Sequence, residues 1–119
     1  MELSFSEAVL DDCEILGSMV LELTQEIMDR SSTPHFDIDL DGTVNRFRDL
    51  MLAGKYAAIL CYSGQRVIGF ATLAETYALY AGGKVGIVQE FYVVPQFRSS
   101  GAGALLLEQV KRYGMNHEW

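Results

Sequence analysis

The sequence has little that would build a disulfide scaffold, a membrane span or a secretion signal. Its 119 residues contain two cysteines, Cys13 and Cys61, which lack CxxC or metal-ligand spacing. We interpret both as small buried hydrophobes in a reducing compartment. No run approaches about eighteen consecutive apolar residues, and the acidic start MELSFSEAVLDD lacks the basic segment of a signal peptide. These absences favour a cytoplasmic protein without a membrane partner.

Basic residues are also scarce, with nine Lys and Arg against sixteen Asp and Glu and a net charge of -7. Nucleic-acid binding relies on clustered cations that displace counterions from phosphates, so we predict no nucleic-acid partner. The charge is uneven, because residues 1–50 hold twelve acids and three bases whereas residues 51–119 hold four acids and six bases. The acidic half would suit a cationic partner such as an amine, or it reflects solvated helix faces.

Low-complexity tracts, internal repeats and linker-like segments are absent, so residues 1–119 are expected to form one domain. A short strand near Leu3–Phe5 precedes a helix opened by Asp11 or Asp12, whose apolar residues recur at helical spacing. A polar loop, DRSSTPHFDIDLDG, leads to a second helix that ends near Gly54. The first part of the chain is therefore predicted as strand, helix, helix.

Three strand-like runs follow the second helix. KYAAILCY and RVIGFATLAETYAL are separated by SGQ, the composition of a tight hairpin turn, and VGIVQEFYVV ends at Pro95, which cannot donate to a sheet ladder. Apolar residues from Leu105 to Tyr113 then predict a last helix that Gly114 terminates. The predicted order is β, α, α, β, β, β, α, with three consecutive antiparallel strands.

The stretch RSSGAG lies between the last of these strands and the last helix. A helix N-terminus presents unpaired N–H groups and a partial positive charge, so small residues there let a phosphate approach closely. Gly101 and Gly103 clear the approach, and Arg98 adds a positive charge. Ser99 and Ser100 can cap the helix with their hydroxyls. An ordinary tight turn has the same composition, whereas Walker and dinucleotide-binding patterns lack the required lysine and third glycine.

The longer stretch FYVVPQFRSSGAGALLLEQV resembles the acetyl-CoA-binding motif of the GNAT superfamily of N-acetyltransferases. That motif runs from a strand through V-x-P-x-x-R to R-x-x-G-x-G at a helix start, and it is matched at Val93, Pro95, Arg98, Gly101 and Gly103. The resemblance implies an α/β (α+β) acyl-CoA N-acyltransferase fold, in which a mixed, mostly antiparallel sheet is flanked by helices. It also implies that the chain is truncated and lacks the C-terminal part of this fold.

In that family, the loop N–H groups hold the coenzyme pyrophosphate and the preceding strand pairs with the pantetheine arm. By position, the resemblance assigns the pyrophosphate to Arg98, Ser99, Ser100, Gly101, Ala102, Gly103 and Ala104. It assigns the pantetheine and the thioester to Phe91, Tyr92 and Val93. Many members have glycine and lysine at the positions of Ser99 and Ser100, a change that binding through backbone donors tolerates.

The activity that the resemblance implies is transfer of an acetyl group from acetyl-CoA to a primary amine, of a small molecule or a protein, by direct attack in a ternary complex. An ammonium with a pKa of about 10 must first lose a proton. Glu90 is the candidate base, because it lies in an apolar strand next to the thioester segment; a structural carboxylate paired with a hydroxyl or an arginine is the alternative. The N–H of Tyr92 or Val93 would stabilise the developing negative charge.

The family continues past this helix into a strand, a helix bearing the tyrosine that acts as general acid, and a final pair of strands. No general acid can be assigned in this sequence. Three explanations of this difference from the family are open: the chain is a fragment, a partner chain such as the second copy of a homodimer completes the sheet, or the fold is a shortened variant. We rank the fragment first. A non-catalytic acyl-CoA-binding or interaction module is the alternative function.

Acceptor specificity is expected to lie in the loops at residues 30–42 and 76–84, because substrate selection in such folds depends on variable loops. Three tyrosines near the second loop and the strand after it are interpreted as sheet packing rather than substrate contacts. These are Tyr77, Tyr80 and Tyr92. The acceptor itself and the oligomeric state are left open.

No metal site is predicted. The stretch DIDLDG at residues 37–42 matches the first half of an EF-hand loop, but the twelfth position holds Arg48 instead of a glutamate. The aspartates are expected to cap the second helix instead. His35 and His117 are single and far apart in sequence, so both are expected at the surface rather than in a zinc site.

Overall fold

The structure is a computed structural model that describes residues 2–31 and 39–119. Its elements in chain order are β1 (Leu3–Glu7), α1 (Cys13–Ser31), α2 (Leu40–Leu52), β2 (Ala57–Ser63), β3 (Arg66–Ala78), β4 (Gly83–Val93) and α3 (Ala102–Asn116). Short 3-10 turns precede α1 at Leu10–Asp12 and α3 at Pro95–Phe97. The predicted order of strands and helices is confirmed. None of the helices described here is long and apolar enough to cross a membrane.

The four strands form one sheet in the order β1-β2-β3-β4, and every neighbouring pair is antiparallel. The predicted SGQ hairpin joins β2 to β3 through Gly64, whose φ of 62° lies in the left-handed region that a two-residue hairpin turn requires. Within the described residues, β1 and β4 are the edge strands. The open edge of β4 matters because the motif strand predicted from the sequence is this strand.

The core is built around β3, where six consecutive residues, 68–73, are buried. Alternate side chains of a strand point to opposite faces, so a continuous buried run means that both faces of the sheet are covered. Helix α3 packs across β1 to β4, while α1 packs on β3 and β4 and carries α2. Leu16, Phe70 and Leu106 are fully buried, and each burial contributes roughly 1.5–3 kcal/mol relative to an exposed side chain.

Helices α1 and α2 approach each other closely at Gly17. A Cβ atom at this position would lie 2.6 Å from Cγ2 of Val44 on α2, which is closer than packed carbon atoms allow. The absence of a side chain at Gly17 therefore sets the separation of the two helices.

Aspartates begin both helices, as predicted. The N–H of Val9 donates to Oδ2 of Asp12 at 2.8 Å at the start of α1. Asp39 is the N-cap of α2 and its side chain accepts a hydrogen bond from the N–H of Gly42 at 3.3 Å.

The polar loop between the two helices is shorter than predicted. Helix α1 runs to Ser31 and α2 starts at Leu40, so both ends of the predicted loop are helical. The segment between them, residues 32–38, lies outside the described residues. Propensity alone missed these ends because helices are extended by tertiary packing as well as by local preference.

The prediction that Gly114 ends the last helix is wrong. Helix α3 continues to Asn116, and Gly114 is a buried interior position. A Cβ atom on Gly114 would lie 3.2 Å from Cε3 of Trp119. The backbone N–H of Trp119 donates to the carbonyl of Gly114 at 2.8 Å. The indole also covers Gly86 on β4, where an added Cβ would clash with the ring. Gly114 is therefore needed for close packing rather than for termination.

Both cysteines are free thiols and both are buried, which confirms that they are small buried residues. Sγ of Cys13 lies 3.8 Å from Sδ of Met51. Burial raises the pKa of the Cys13 thiol and of the Cys61 thiol. Neither thiol is therefore poised as a nucleophile.

Candidate functional site

A β-bulge interrupts the motif strand just before the candidate base. Thr72 on β3 pairs with Glu90, but the next residue of β3, Leu73, pairs with Val88. Gln89 is therefore the extra residue of β4. A bulge bends its strand and changes which face the following side chains occupy. The bulge thus determines where the side chain of Glu90 points, a question that the sequence left open.

The loop between β4 and α3, which we name the cradle (residues 98–104), reverses direction through two left-handed residues. Ser99 has a φ of 69° and Gly101 a φ of 89°. Gly101 is the N-cap of α3, and no side chain caps this helix. The hydroxyl of Ser100 instead donates to the carbonyl of Phe97. The predicted capping of the helix by the serine hydroxyls is therefore wrong.

The absence of a cap leaves backbone donors available at the start of α3. The first helical bond here runs from the N–H of Leu105 to the carbonyl of Gly101 at 3.1 Å. The preceding N–H groups, at residues 102–104, have no partner earlier in the helix. Within the described part of the chain, no side chain accepts a hydrogen bond from them. The cradle therefore presents several unpaired donors and the positive end of the helix dipole.

The cradle opens onto a groove of about 430 Å³. The groove is lined by Leu23, Glu26, Arg30, Phe91, Tyr92, Val93, Arg98, Ser99 and Gly103. A Cβ atom on Gly101 would meet nothing within 4 Å, and one on Gly103 would meet only Cε1 of Phe91 at 3.9 Å. The space in front of both glycines is therefore free for a ligand. The structure brings together six of the residues that the sequence assigned to the coenzyme in one wall of this groove.

Arg98 is held by the protein itself. Its Nη1 and Nη2 lie 2.9 and 3.1 Å from the two carboxylate oxygens of Glu26 on α1, and its Nε donates to the carbonyl of Val93 at 2.8 Å. Its guanidinium also lies 5.4 Å from the ring centre of Tyr92. The hydrogen bond from Arg98 lowers the pKa of Glu26. Arg98 is thus not the free cation suggested by the sequence; it ties the cradle to α1 and β4.

Arg30 is a groove residue that sequence reasoning missed. It lies in the last turn of α1, lines the groove, and forms no ion pair with any of the described residues. Its charge is close enough to contribute to the lowered pKa of Glu26. The sequence placed this residue in a loop. A cation in the last turn of a helix, where it favours the dipole, was the available signal.

Glu90 is half-buried and locked to one neighbour. The hydroxyl of Thr72 donates to Oε1 of Glu90 and accepts from the backbone N–H of Glu90 at 2.9 Å. Thr72 is fully buried, so it holds the carboxylate in one orientation. This is the pairing with a hydroxyl that the alternative interpretation described, and it leaves the other carboxylate oxygen free of protein partners among the described residues.

A second cavity, of about 200 Å³, begins at Glu90; we name it the α2 cavity. It is lined by Val20, Thr43, Arg46, Phe47, Leu50, Tyr56 and Glu90. The Tyr56 ring packs edge-on against Phe47 with ring centres 6.1 Å apart. Burial raises the pKa of Tyr56, and the nearby charge of Glu90 raises it further. No sequence motif linked Tyr56 or Arg46 to Glu90, because they belong to different elements.

The backbone groups of β4 alternate between β3 and the open edge. The N–H of Glu90 faces β3, and the carbonyl oxygen of Tyr92 lies 2.9 Å from where a Cβ of Gly69 on β3 would be. Alternation along the strand then directs the N–H groups of Phe91 and Val93 to the open edge. Of the two donors named from the sequence, the geometry favours Val93 over Tyr92.

The three tyrosines do not share one environment. Tyr92 is buried and packs against Phe70 with ring centres 6.3 Å apart, so the packing interpretation is correct for it. Tyr77 and Tyr80 are 73% and 94% exposed on the β3–β4 hairpin. The packing interpretation is wrong for these two because the hairpin extends beyond the helices that cover the sheet.

The metal-ligand candidates also have ordinary surroundings. Nδ1 of His117 lies 2.8 Å from the carbonyl of Tyr113, and its ring stacks on the Tyr113 ring at 3.8 Å. Among residues 2–31 and 39–119, no group of three or more His, Cys, Asp or Glu is placed to hold a metal ion. His35 and Asp37 lie outside the described residues.

Comparison with known proteins gives consistent matches. The sequence pattern of the acetyltransferase (GNAT) family matches residues 21–118. An uncharacterized N-acetyltransferase of Archaeoglobus fulgidus is 24% identical over 106 residues, covering 88% of this chain and 69% of that protein.

Solved structures share the fold. An integron cassette protein from the mobile metagenome of Cole Harbour Salt Marsh has a TM-score of 0.81 and 26% identity, covering 96% of this chain and 71% of that one. A predicted acetyltransferase with acetyl-CoA from Clostridium acetobutylicum has a TM-score of 0.78 and 16% identity, covering 98% and 76%. The predicted fold is therefore confirmed, and the chain spans roughly three quarters of the length of these neighbours.

Proposed function

The chain belongs to the GNAT family of acetyltransferases, and from this membership we propose that it transfers the acetyl group of acetyl-CoA to a primary amine by direct attack. The observation that carries the proposal is the row of unpaired N–H groups at the start of α3. Gly103 in this row lines a groove that is also lined by residues 91–93 of β4, next to the fixed carboxylate of Glu90. An anion site that follows the end of β4 and a base three residues before that end suit a coenzyme that ends in a thioester.

The residues of the cradle fit a diphosphate. In the proposal, the N–H groups of Gly101, Ala102, Gly103 and Ala104, with those of Ser99 and Ser100, bind the pyrophosphate. The positive φ of Gly101 and the open space in front of it support close approach of phosphate oxygens to the backbone. Arg98 positions this loop through Glu26 and Val93, and Arg30 provides the free positive charge.

The wall along β4 would hold the rest of the coenzyme. We assign the pantetheine arm and the thioester to Phe91, Tyr92 and Val93, because Phe91 and Val93 direct backbone groups to the open edge while Tyr92 supports the strand from within. The N–H of Val93 or Phe91 would donate to the thioester oxygen as negative charge develops there. This assignment uses backbone donors, so it tolerates the serines that replace glycine and lysine in the motif.

Proton transfer is assigned to Glu90. Its free carboxylate oxygen accepts a proton from the ammonium of the acceptor, directly or through one water molecule, while Thr72 keeps the carboxylate in place. The thioester supplies an activated acetyl group: the amine nitrogen forms the new C–N bond, the C–S bond breaks, and the second proton lost by the nitrogen balances the proton that the thiolate takes up to leave as CoA. No residue of the described chain is assigned to protonate that thiolate.

A non-catalytic acyl-CoA-binding module is the second candidate. The open edge of β4 favours it, because no strand pairs with that edge within the described residues. A second copy of the chain could supply the missing strand as a homodimer, which would restore the other wall of the groove. The buried, reduced cysteines are in keeping with a cytoplasmic location.

The test of coenzyme binding compares the same substitution, glycine to glutamate, at two positions. Acetyl-CoA at about 100 times its Kd should stabilise the protein by about 2.7 kcal/mol in thermal unfolding. Gly101→Glu should abolish this stabilisation because the side chain occupies the cradle. Gly64→Glu is the control, since Gly64 also has a positive φ and open space but lies in the β2–β3 turn. Equal stabilisation of both variants would contradict the cradle assignment.

Release of CoA then separates the enzyme from the binding module. Incubation with acetyl-CoA and a panel of primary amines should release CoA faster than acetyl-CoA alone. A protein that is stabilised by acetyl-CoA but releases no CoA with any amine would favour the binding module.

A further inference from the structure

The α2 cavity and the groove are lined by neighbouring residues of β4. The groove is walled by residues 91–93 of β4, and the α2 cavity is walled by the preceding residue, Glu90. A molecule in the α2 cavity would therefore lie against Glu90. This position is where the amine must lie if the proposed function is correct.

The walls of the α2 cavity limit what fits in it. They are mostly apolar, formed by Val20, Phe47, Leu50 and the ring of Tyr56. The volume of about 200 Å³ is below the roughly 300–1,000 Å³ of pockets that bind drug-sized ligands. The cavity is therefore suited to one small molecule with an apolar body rather than to a large polyamine.

The cavity has two charged lining residues of opposite sign. Glu90 lies on the sheet side, and Arg46 lies on α2 with its side chain exposed. Within the described residues, Arg46 forms no ion pair or hydrogen bond. The neighbouring Arg48, by contrast, donates to Oδ1 of Asn45 at 3.2 Å and does not line this cavity. An unpaired guanidinium at the rim is a ready partner for a carboxylate or another anionic group.

We propose that the α2 cavity is the acceptor pocket and that Arg46 selects a small amine which also carries an anionic group, such as an amino acid with an apolar side chain. In this arrangement Glu90 meets the ammonium, Arg46 pairs with the anionic group, and the apolar walls contact the side chain. The inference rests on the proposed function. The inference narrows the class of acceptor. It also places acceptor selection in a pocket between the helices and the sheet, instead of in the loops at residues 30–42 and 76–84.

The test measures binding, so that turnover is not required. L-leucine and 3-methylbutylamine, which is leucine without its carboxylate, are titrated into the protein saturated with CoA, with calorimetry as the readout. Leucine should bind more tightly. Arg46→Ala should weaken leucine binding about ten- to a hundredfold, the effect of losing one charge-assisted hydrogen bond, and leave 3-methylbutylamine unchanged. Arg46→Glu should reverse the preference.

Arg48→Ala is the matched control, because it removes an arginine from the same helix without touching the cavity. Equal affinities for the two ligands, absence of binding by both, or equal effects of Arg46→Ala and Arg48→Ala would each overturn the inference. Stabilisation by acetyl-CoA is measured on the same samples. If acetyl-CoA binds but the preference for leucine is missing, only the acceptor class is wrong; if acetyl-CoA does not bind, the proposed function fails.

Discussion

The cradle and the α2 cavity are built in opposite ways. The cradle comes from seven consecutive residues and offers backbone N–H groups at a helix start. The α2 cavity comes from two helices, a residue before β2 and a residue of β4, and it offers side chains. Backbone donors can be preserved while side chains change, as Ser99 and Ser100 illustrate. A side-chain pocket changes with each substitution, so we expect the shared step to reside in the cradle and the selective step in the cavity.

The largest effect should come from Glu90, which lines the α2 cavity and precedes the groove residue Phe91 in β4. Glu90→Gln keeps the shape and the pairing with Thr72 but removes the base, so CoA release should fall by about a hundredfold or more. The rise of the rate with pH should also flatten. Glu108→Gln, on the exposed face of α3, is the control. An unaltered rate and pH profile in Glu90→Gln would remove Glu90 as the base.

The second largest effect should come from a substitution that disturbs the α2 cavity but not the cradle. Gly17→Val places a side chain against Val44, which forces α1 and α2 apart at a cost of roughly 1–3 kcal/mol in unfolding free energy. Amine binding should be largely lost while stabilisation by acetyl-CoA persists. Gly83→Val is the control, because a Cβ there meets nothing within 4 Å. Parallel loss of coenzyme and amine binding would show that the two regions are not independent.

A smaller effect is expected at the cradle from Arg30. Arg30→Ala removes the unpaired cation of the groove, so the Kd for acetyl-CoA should rise about two- to fivefold, and the difference should shrink at high salt. Amine binding in the presence of saturating CoA should not change. Arg112→Ala, which removes a cation from α3 outside the groove lining, should leave the Kd unaltered. An equal Kd for Arg30→Ala and the parent protein at low salt would contradict the assignment.

The smallest effect concerns acid stability. Arg98 lowers the pKa of Glu26, so their pairing stabilises the fold above the unfolded pKa of about 4.3 and is lost as pH falls through the lower folded value. The gap in Tm between the parent protein and Arg98→Ala should therefore narrow below about pH 4. A gap that stays constant from pH 7 to pH 3 would show that this ion pair contributes nothing to stability.

The contrast between a site built from consecutive residues and one built from distant residues also explains which features could be predicted from the sequence. Strand and helix order, the SGQ hairpin and the start of the last helix after RSSG depend on residues close together in the chain, and these predictions were confirmed. The partnership of Arg98 with Glu26 joins residues 72 positions apart, and no local pattern marks it. The α2 cavity was not predicted for the same reason, since Tyr56, Arg46 and Glu90 come to line one cavity only after the helices pack on the sheet.

Some errors arose because one residue type serves two purposes. A glycine near a helix end commonly terminates the helix, yet Gly114 admits the Trp119 indole instead. A serine at a helix start commonly caps it, yet Ser100 turns back to Phe97 and leaves the donors uncovered. In each case composition suggested a role, and the neighbouring side chain or carbonyl decided it.

The extra residue at Gln89 divides β4 into two segments with separate phases. Residues 83–88 follow one alternation against β3 and residues 90–93 follow another. Deletion of Gln89 would place Val88 and Glu90 next to each other against Leu73 and Thr72, so both segments would keep their partners on β3 while the bend of the strand is lost. Insertions in the exposed hairpin leave both the bulge and the second segment in place, so the outer arm can diversify in length while Glu90 keeps its orientation.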